Sequence, residues 1–260
     1  MTPDKKFRIV LSDAGDILFD TSSYCNGLKL TITELINQGG GSISEVQACN
    51  FFRPYKILSQ TVMSMEEAIN IFFKEFNINS TYLEFKTVFE QNKIDEVPVL
   101  FDGITQTLEF LNARGVPFYV LTNASETKEM LVSQLEKMVV FQLKQRGVYN
   151  PEIFMFSDYV KDIISSRDVG VKKPDPYFFY SAIRKGYFDR DQAVFIAHKK
   201  EEIFGAADQG ISVAAFNYHG QNDADEISKG IAEHNDGLGE DMVFSHIFNI
   251  NKFSDLLELI

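Results

Sequence analysis

Four short apolar runs, each closing on small or polar residues, constrain this 260-residue chain more than any other feature. They are Phe7-Arg8-Ile9-Val10-Leu11, Val116-Pro117-Phe118-Tyr119-Val120-Leu121, Ala193-Val194-Phe195-Ile196-Ala197 and Ile211-Ser212-Val213-Ala214-Ala215-Phe216. Runs this short, with β-branched and aromatic residues and turn formers at their ends, read as buried strands. The segments between them carry apolar residues at helical spacing, and strands alternating with helices build a parallel sheet covered on both faces. The fold class is therefore α/β, a doubly wound parallel sheet. A further strand is expected at Ile153–Phe156. In open sheets of this kind ligands bind beyond the carboxyl ends of the strands. The first run ends in Ser12-Asp13-Ala14-Gly15-Asp16, so Asp13 stands where chemistry is usually done, although an Asp there also stabilises turns. The second ends in Thr122-Asn123-Ala124-Ser125. A hydroxyl at that point can hold an anion's oxygen, and the same tetrapeptide has the composition of a helix N-cap.

From Asp20-Thr21-Ser22-Ser23, a helix-start cluster, to about Pro98 the chain reads as helices alone. Leu28, Leu30, Ile32, Leu35 and Ile36 recur at helical spacing. A second segment, 42–62, has Phe51, Phe52, Tyr55 and Ile57 as expected buried positions. Ser64-Met65-Glu66-Glu67 is a capping box before Ala68, Ile69, Ile71, Phe72 and Phe73. Ser80 opens a fourth helix through Leu83, Phe85, Val88 and Phe89. Beyond the sheet segments, helices are expected over 126–146 and from about Tyr177. Residues 217–243 read as a loop and a surface helix, and Phe253–Ile260 as a short closing helix.

Phe7–Asp20 resembles the first motif of the haloacid dehalogenase-like (HAD) hydrolases: apolar strand, Asp, any residue, Asp, Gly, Thr or Val, Leu. Asp13 falls on the family's nucleophile. Gly15 falls where its phosphatases carry a second Asp as general acid/base, Asp16 on the usual Gly, Ile17 on the Thr or Val and Leu18 on the Leu. Val116–Ser125 resembles the second motif. The resemblance implies that Thr122 and Asn123 bind phosphate. Gly170-Val171-Lys172-Lys173-Pro174-Asp175-Pro176 resembles the third motif very closely, with Lys173 on the family's Lys. One ammonium there offsets charge on the nucleophile and on phosphoryl oxygens. Lys172 reads as a solvated charge. In the fourth motif Gly205-Ala206 sets the register, which puts His198 on the main metal-binding Asp and Glu202 on the second acidic position.

The resemblance covers nearly the whole chain, in order. It implies a Rossmann-like core formed by residues 1–21 and 99–260, and a smaller all-helical cap domain, 22–98, that closes over the site and selects the substrate. It also implies a phosphatase-type hydrolase of small phosphorylated metabolites with Asp13 as nucleophile. The family's cofactor is Mg2+, which here falls to Asp13, the backbone of Gly15 and Glu202. Magnesium takes hard oxygen ligands, so His198 weakens that site. Two other readings remain. The chain is similar in its missing carboxylates to the metal-independent 2-haloacid dehalogenases, although those carry an aromatic residue at the Gly15 position and a cap Arg, and Arg53 is the only Arg in the cap here. It also fits a non-catalytic protein that keeps the fold for binding. The run His198-Lys199-Lys200 adds one expectation. It replaces part of the metal's charge, with His198 held protonated by Asp13.

Charge narrows the partners. A net charge of −12 argues against a nucleic-acid backbone and requires local cations around any anionic substrate. Cys25 and Cys49 form no disulfide framework and suit a reducing, cytoplasmic compartment. The amino-terminal apolar run is too short for a signal peptide, and no apolar stretch reaches membrane-spanning length.

Overall fold

The computed structural model describes residues 7–93, 98–217, 227, 229–231, 233 and 246–260. The chain runs β1 (Ile9–Ser12), α1 (Ser22–Gln38), α2 (Glu45–Ser59), α3 (Met65–Glu75), α4 (Tyr82–Asn92), α5 (Ile104–Ala113), β2 (Phe118–Thr122) and α6 (Lys128–Gln145). It continues with β3 (Asp162–Ser165), α7 (Ser166–Val169), α8 (Pro176–Gly186), β4 (Ala193–Ala197), α9 (Lys200–Ala207), β5 (Ser212–Phe216) and β6 (Ile247–Ile250). A 3-10 stretch, Phe253–Glu258, follows where the closing helix was expected. The six strands among the described residues form one parallel sheet in the order β3-β2-β1-β4-β5-β6. The chain moves outward from β1 through β2 and β3, then returns to lay β4 on the other side of β1. The reversal leaves a crevice at the carboxyl ends of β1 and β4.

Period-two alternation explains both faces. Val10, Val120, Ile163 and Ile196 point to one apolar layer with Leu108 and Leu111 of α5 and Met138 and Val139 of α6. Leu11, Leu121, Ile164 and Phe195 point to the other, with Phe178 and Phe179 of α8 and Ile203 of α9. With both faces covered, the strands carry no polar alternation, and this is why they read as unbroken apolar runs.

Two edge strands depart from the sequence reading. Ile153–Phe156 is not a strand. Phe154 and Phe156 lean on the core, while Ile153 and Met155 are 74% and 60% exposed. The third strand is Asp162–Ser165, an apolar pair between polar ends that pairs with β2 alone. β6, at the opposite edge, was not anticipated. The loop and surface helix expected over 217–243 lie mostly outside the described residues.

Among the described residues of 22–93 there is no strand. Three of the four helices there start on a capping box: Ser44 with Gln47, Ser64 with Glu67, and Thr81 with Glu84. In each, the hydroxyl takes the N3 N–H while the N3 side chain returns to the cap N–H, satisfying two donors that a helix start leaves open. The fourth helix is capped by Thr81, one residue after the expected Ser80. These helices bury an aromatic cluster of their own, in which Phe72 meets Phe52 at 5.3 Å and Tyr55 at 5.1 Å. The inner face of α2 is Ala48, Phe52, Tyr55 and Ser59. Phe51, expected inside, is one step off that stripe and is exposed beside Phe76, and Ile57 is half-buried.

Candidate active site

β1 delivers Asp13 to the crevice. The Asp13 N–H still donates to Ile196 O of β4 at 2.9 Å, and its Oδ1 accepts from the Ala14 N–H at 2.8 Å. The chain then turns through Asp16, whose φ of 63° lies in the left-handed region that favours glycine. An Asp tolerates this conformation when its side chain bonds locally. Here Oδ1 takes the N–H of Thr21 at 3.0 Å and its hydroxyl at 2.7 Å. That bond also fixes Thr21 against Gly15. A Cβ on Gly15 would stand 2.6 Å from Thr21 Cγ2, so the loop in this shape has no room for the acidic side chain that family phosphatases carry at that position.

β2 ends in Thr122, buried next to the Asp13 strand end. Asn123 follows and uses both ends of its amide on the third motif. Its Oδ1 accepts from the Lys173 N–H at 2.9 Å, and its Nδ2 donates to Lys173 O at 3.2 Å and Glu202 Oε1 at 3.5 Å. The amide thereby pins Lys173 to the end of β2.

The Lys173 side chain is fully buried. Its Nζ lies 2.6 Å from Asp13 Oδ1, 2.8 Å from Glu202 Oε2 and 5.3 Å from the centroid of the Phe195 ring. Glu202 comes from the first turn of α9, where the helix N-terminus favours a carboxylate. α9 gets close enough through Gly205, since a Cβ there would meet Pro174 Cβ at 2.7 Å. β4 brings His198, buried, with Nε2 3.8 Å from Asp16 Oδ2. Lys199 follows. Its side chain is 46% exposed and its Nζ sits 3.9 Å from Glu202 Oε1. Asp13, Lys173, Glu202, His198, Asp16 and Lys199 thus stand at one crevice, with Thr122 at the end of the neighbouring strand β2.

The charges divide unequally. Burial alone would raise the Asp13 carboxyl, but Lys173 and then Lys199 overcome it and hold Asp13 below its ordinary value. Glu202 goes up: burial and the negative Asp13 outweigh Lys173 and Lys199. Of the two carboxylates on Lys173, Asp13 is therefore held charged more firmly, and Glu202 is the first to take a proton as pH falls. Burial opposes the charge on Lys199, yet Asp13, Glu202, Asp16 and Glu201 together raise its pKa. His198 overturns the sequence expectation. Burial and the neighbouring Lys199 lower its pKa against the pull of Asp13 and Asp16, so it is neutral near neutrality.

The end of α2 roofs the crevice. Ser59 Oγ lies 2.8 Å from Ser125 Oγ, Gln60 Nε2 donates to Asn123 O at 3.1 Å, and Ser166 Oγ donates to Gln60 O at 2.6 Å. Arg167 Nη1 donates to Met63 O. No sequence signal marked Ser59, Gln60, Ser166 or Arg167 for this role, because isolated polar side chains leave no periodic pattern. Arg53, by contrast, is exposed.

The donor set does not fit magnesium. Among the described residues no three His, Cys, Asp or Glu side chains are placed to hold one ion. Lys173 and the Ala14 N–H take Asp13 Oδ1, Lys173 also takes Glu202, and an imidazole beside an ammonium stands where a further carboxylate is needed.

Fold and geometry together define a doubly wound α/β protein with a buried carboxylate–lysine centre under a helical roof. The chain belongs to the haloacid dehalogenase-like hydrolases, whose family model matches residues 18–208. That match takes in Thr122, Lys173 and Glu202 and begins just after Asp13. The chain is 24% identical over 224 residues to a glyceraldehyde 3-phosphate phosphatase of Methanothermobacter thermautotrophicus, covering 81% of this chain and 85% of that one. Its fold is similar to an HAD phosphatase from Thermococcus onnurineus, at TM-score 0.56, 19% identity and 97% coverage of both chains. It is equally similar to a 2-haloacid dehalogenase from Pseudomonas syringae, at TM-score 0.58, 15% identity and 97% coverage of both. No helix among the described residues is long and apolar enough to cross a membrane.

Proposed function

We propose that this chain is a phosphatase-type hydrolase of small phosphorylated metabolites, with Asp13 as nucleophile. The observation that carries the reading is the buried Asp13–Lys173 contact of 2.6 Å, which keeps Asp13 ionised inside the crevice. The similarity to a glyceraldehyde 3-phosphate phosphatase supports the substrate class. An Asp13 oxygen attacks phosphorus, the bond from phosphorus to the leaving oxygen breaks, and an aspartyl-phosphate forms. Water then attacks phosphorus, the bond to Asp13 breaks, and phosphate leaves. Lys173 offsets charge on Asp13 and on the phosphoryl oxygens, and Thr122 donates to one of those oxygens. Asn123 contributes by holding Lys173. Residues 22–98 act as the cap that selects the substrate, with the end of α2 as its inner edge. Cys25 and Cys49, both free thiols, support a reducing, cytoplasmic setting.

Gly15 shapes the substrate range. General acid help contributes ~10²–10⁴-fold, and without an Asp at that position an alkoxide leaving group goes unaided. Aryl phosphates, whose phenolates leave without a proton, should therefore be hydrolysed far faster than alkyl phosphates. Turnover of an aryl phosphate that Asp13→Asn abolishes is the expected result. Undiminished turnover in that variant rejects the assignment. Gly15 and His198 also favour a second reading, a metal-independent dehalogenase, which chloride release from a 2-haloacid would reveal.

A further inference from the structure

The misfit to magnesium raises the question of what balances the charge in this crevice. Three carboxylates face it, Asp13, Asp16 and Glu202, and among the described residues two ammonium groups, Lys173 and Lys199, answer them. One negative charge is left over. The family pattern of four carboxylates, one lysine and a divalent cation leaves the same remainder, so a dication added here would overcharge the site.

The two lysines are not equivalent. Lys173 is fully buried and lies 2.6 and 2.8 Å from two carboxylates, so much of its charge is already answered before a ligand enters. Lys199 sits at the carboxyl end of β4, next to the residue that takes the metal-binding position. Its nearest carboxylate oxygen is 3.9 Å away and its side chain is 46% exposed. A contact that long is held loosely, and an oxyanion entering over Asp13 can draw the ammonium from Glu202 at small cost. The flexible stem of a lysine lets the charge follow the ligand, as a point charge on four carbons can. The neighbouring carboxylates also keep this ammonium protonated.

We propose that Lys199 takes the electrostatic place of the divalent cation, so that this site binds a phosphate-type oxyanion between Lys199, Lys173 and Thr122 without metal. The inference rests on the phosphatase reading for its ligand class, but not on turnover. Phosphate that enters brings its charge to a crevice holding one surplus negative charge, and Lys199 is the group that can move to meet it. His198, neutral, fills space that a hydrated cation would otherwise need.

Calorimetric titration of inorganic phosphate into the full chain decides the question, in metal-depleted buffer with EDTA and again with excess Mg2+. The expected result is binding that EDTA leaves unchanged and that Mg2+ does not strengthen. Lys199→Met should weaken it by roughly tenfold or more, the scale of one charge-assisted hydrogen bond. Lys199→Arg should retain most of it, and Lys74→Met, an exposed charge on α3, should change nothing. Circular dichroism of each variant confirms folding, and the Lys199→Arg variant decides if Lys199→Met fails to fold. Phosphate binding that needs Mg2+, binding indifferent to Lys199→Met, or no binding in either buffer each overturns the inference. Metal-free binding in a chain that hydrolyses no phosphate ester keeps the inference and rejects the proposed activity, so the two can fail separately.

Discussion

Lys173→Met removes the one cation shared by two buried carboxylates. In the native chain Asp13 and Glu202 each touch Lys173 Nζ, at 2.6 and 2.8 Å, and their side chains are 6% and 3% exposed. The two oxygens can therefore be no farther apart than those lengths laid end to end. Without the ammonium they face each other across a methyl group, with the Ala14 N–H left to Asp13 and the loose Lys199 contact at 3.9 Å left to Glu202. Breaking a buried pair by deleting one partner costs ~3–5 kcal/mol, because the remaining charge is uncompensated. At the slope usual for large domains this lowers Tm by roughly 6–20 °C. The cost must depend on pH, and the sign follows from linkage. In the variant, burial raises both carboxyl groups above their unfolded values. Folding is then favoured at pH below the ordinary carboxyl range and weakens as pH rises through the raised folded values. Thermal denaturation followed by circular dichroism at about pH 5 and about pH 8 should show the larger loss at the higher pH. Glu202→Gln added to Lys173→Met should recover part of the loss by removing one of the stranded charges. A Tm fall of the same size at both pH values, or of less than ~3 °C at the higher one, would refute the reasoning.

Gly15→Asp, which restores the family's acid in name, should not restore alkyl phosphate turnover. Its Cβ meets Thr21 Cγ2 at 2.6 Å while Asp16 holds Thr21 in place, so overpacking should cost ~1–3 kcal/mol, read by chemical denaturation. Gly205→Ala should push α9 off Pro174, at a similar cost of ~1–3 kcal/mol, and should lower the turnover of an aryl phosphate more than it raises KM, since Lys173 moves with that loop. The capping carboxylates Glu67 and Glu84 have pKa values lowered by hydrogen bonds from Ser64 and Thr81. Their contribution is present above the unfolded carboxyl value and disappears as pH falls through the lowered folded value. Ser64→Ala should therefore lower Tm at neutral pH and lose part of that difference in acid, the part that remains being the hydroxyl's bond to the Glu67 N–H.

Much of this protein follows from local sequence. β4 and β5 lie within the apolar runs that announced them, and β1 and β2 extend one residue past theirs to Ser12 and Thr122, because strands buried on both faces admit few polar residues. The capping box at Ser64 starts its helix through bonds spanning three residues, which a short window of sequence contains in full. Asp13, Thr122 and Lys173 were legible as a set because parallel strands connected by helices all present their carboxyl ends to the same edge. The edges of the sheet were less legible. A strand with one neighbour needs only a short apolar pair, as Asp162–Ser165 shows, and Ile153–Phe156 imitates a strand by leaning two aromatic residues on a core built elsewhere.

Charge and space were decided by the tertiary structure alone. The sequence places His198 beside a basic run and opposite Asp13. Its neutral state depends on burial and on Lys199 lying closer in effect than the carboxylates, and desolvation is a property of everything packed around a group. Glu202 could have been a solvated charge on the first turn of α9. It is buried because Gly205 lets that helix close on Pro174, a contact between residues 31 positions apart. Sequence spacing orders residues along the chain and around an element. The dielectric and the sharing of one ammonium by two carboxylates arise only when distant segments meet, so they were fixed by packing and by nothing shorter in range.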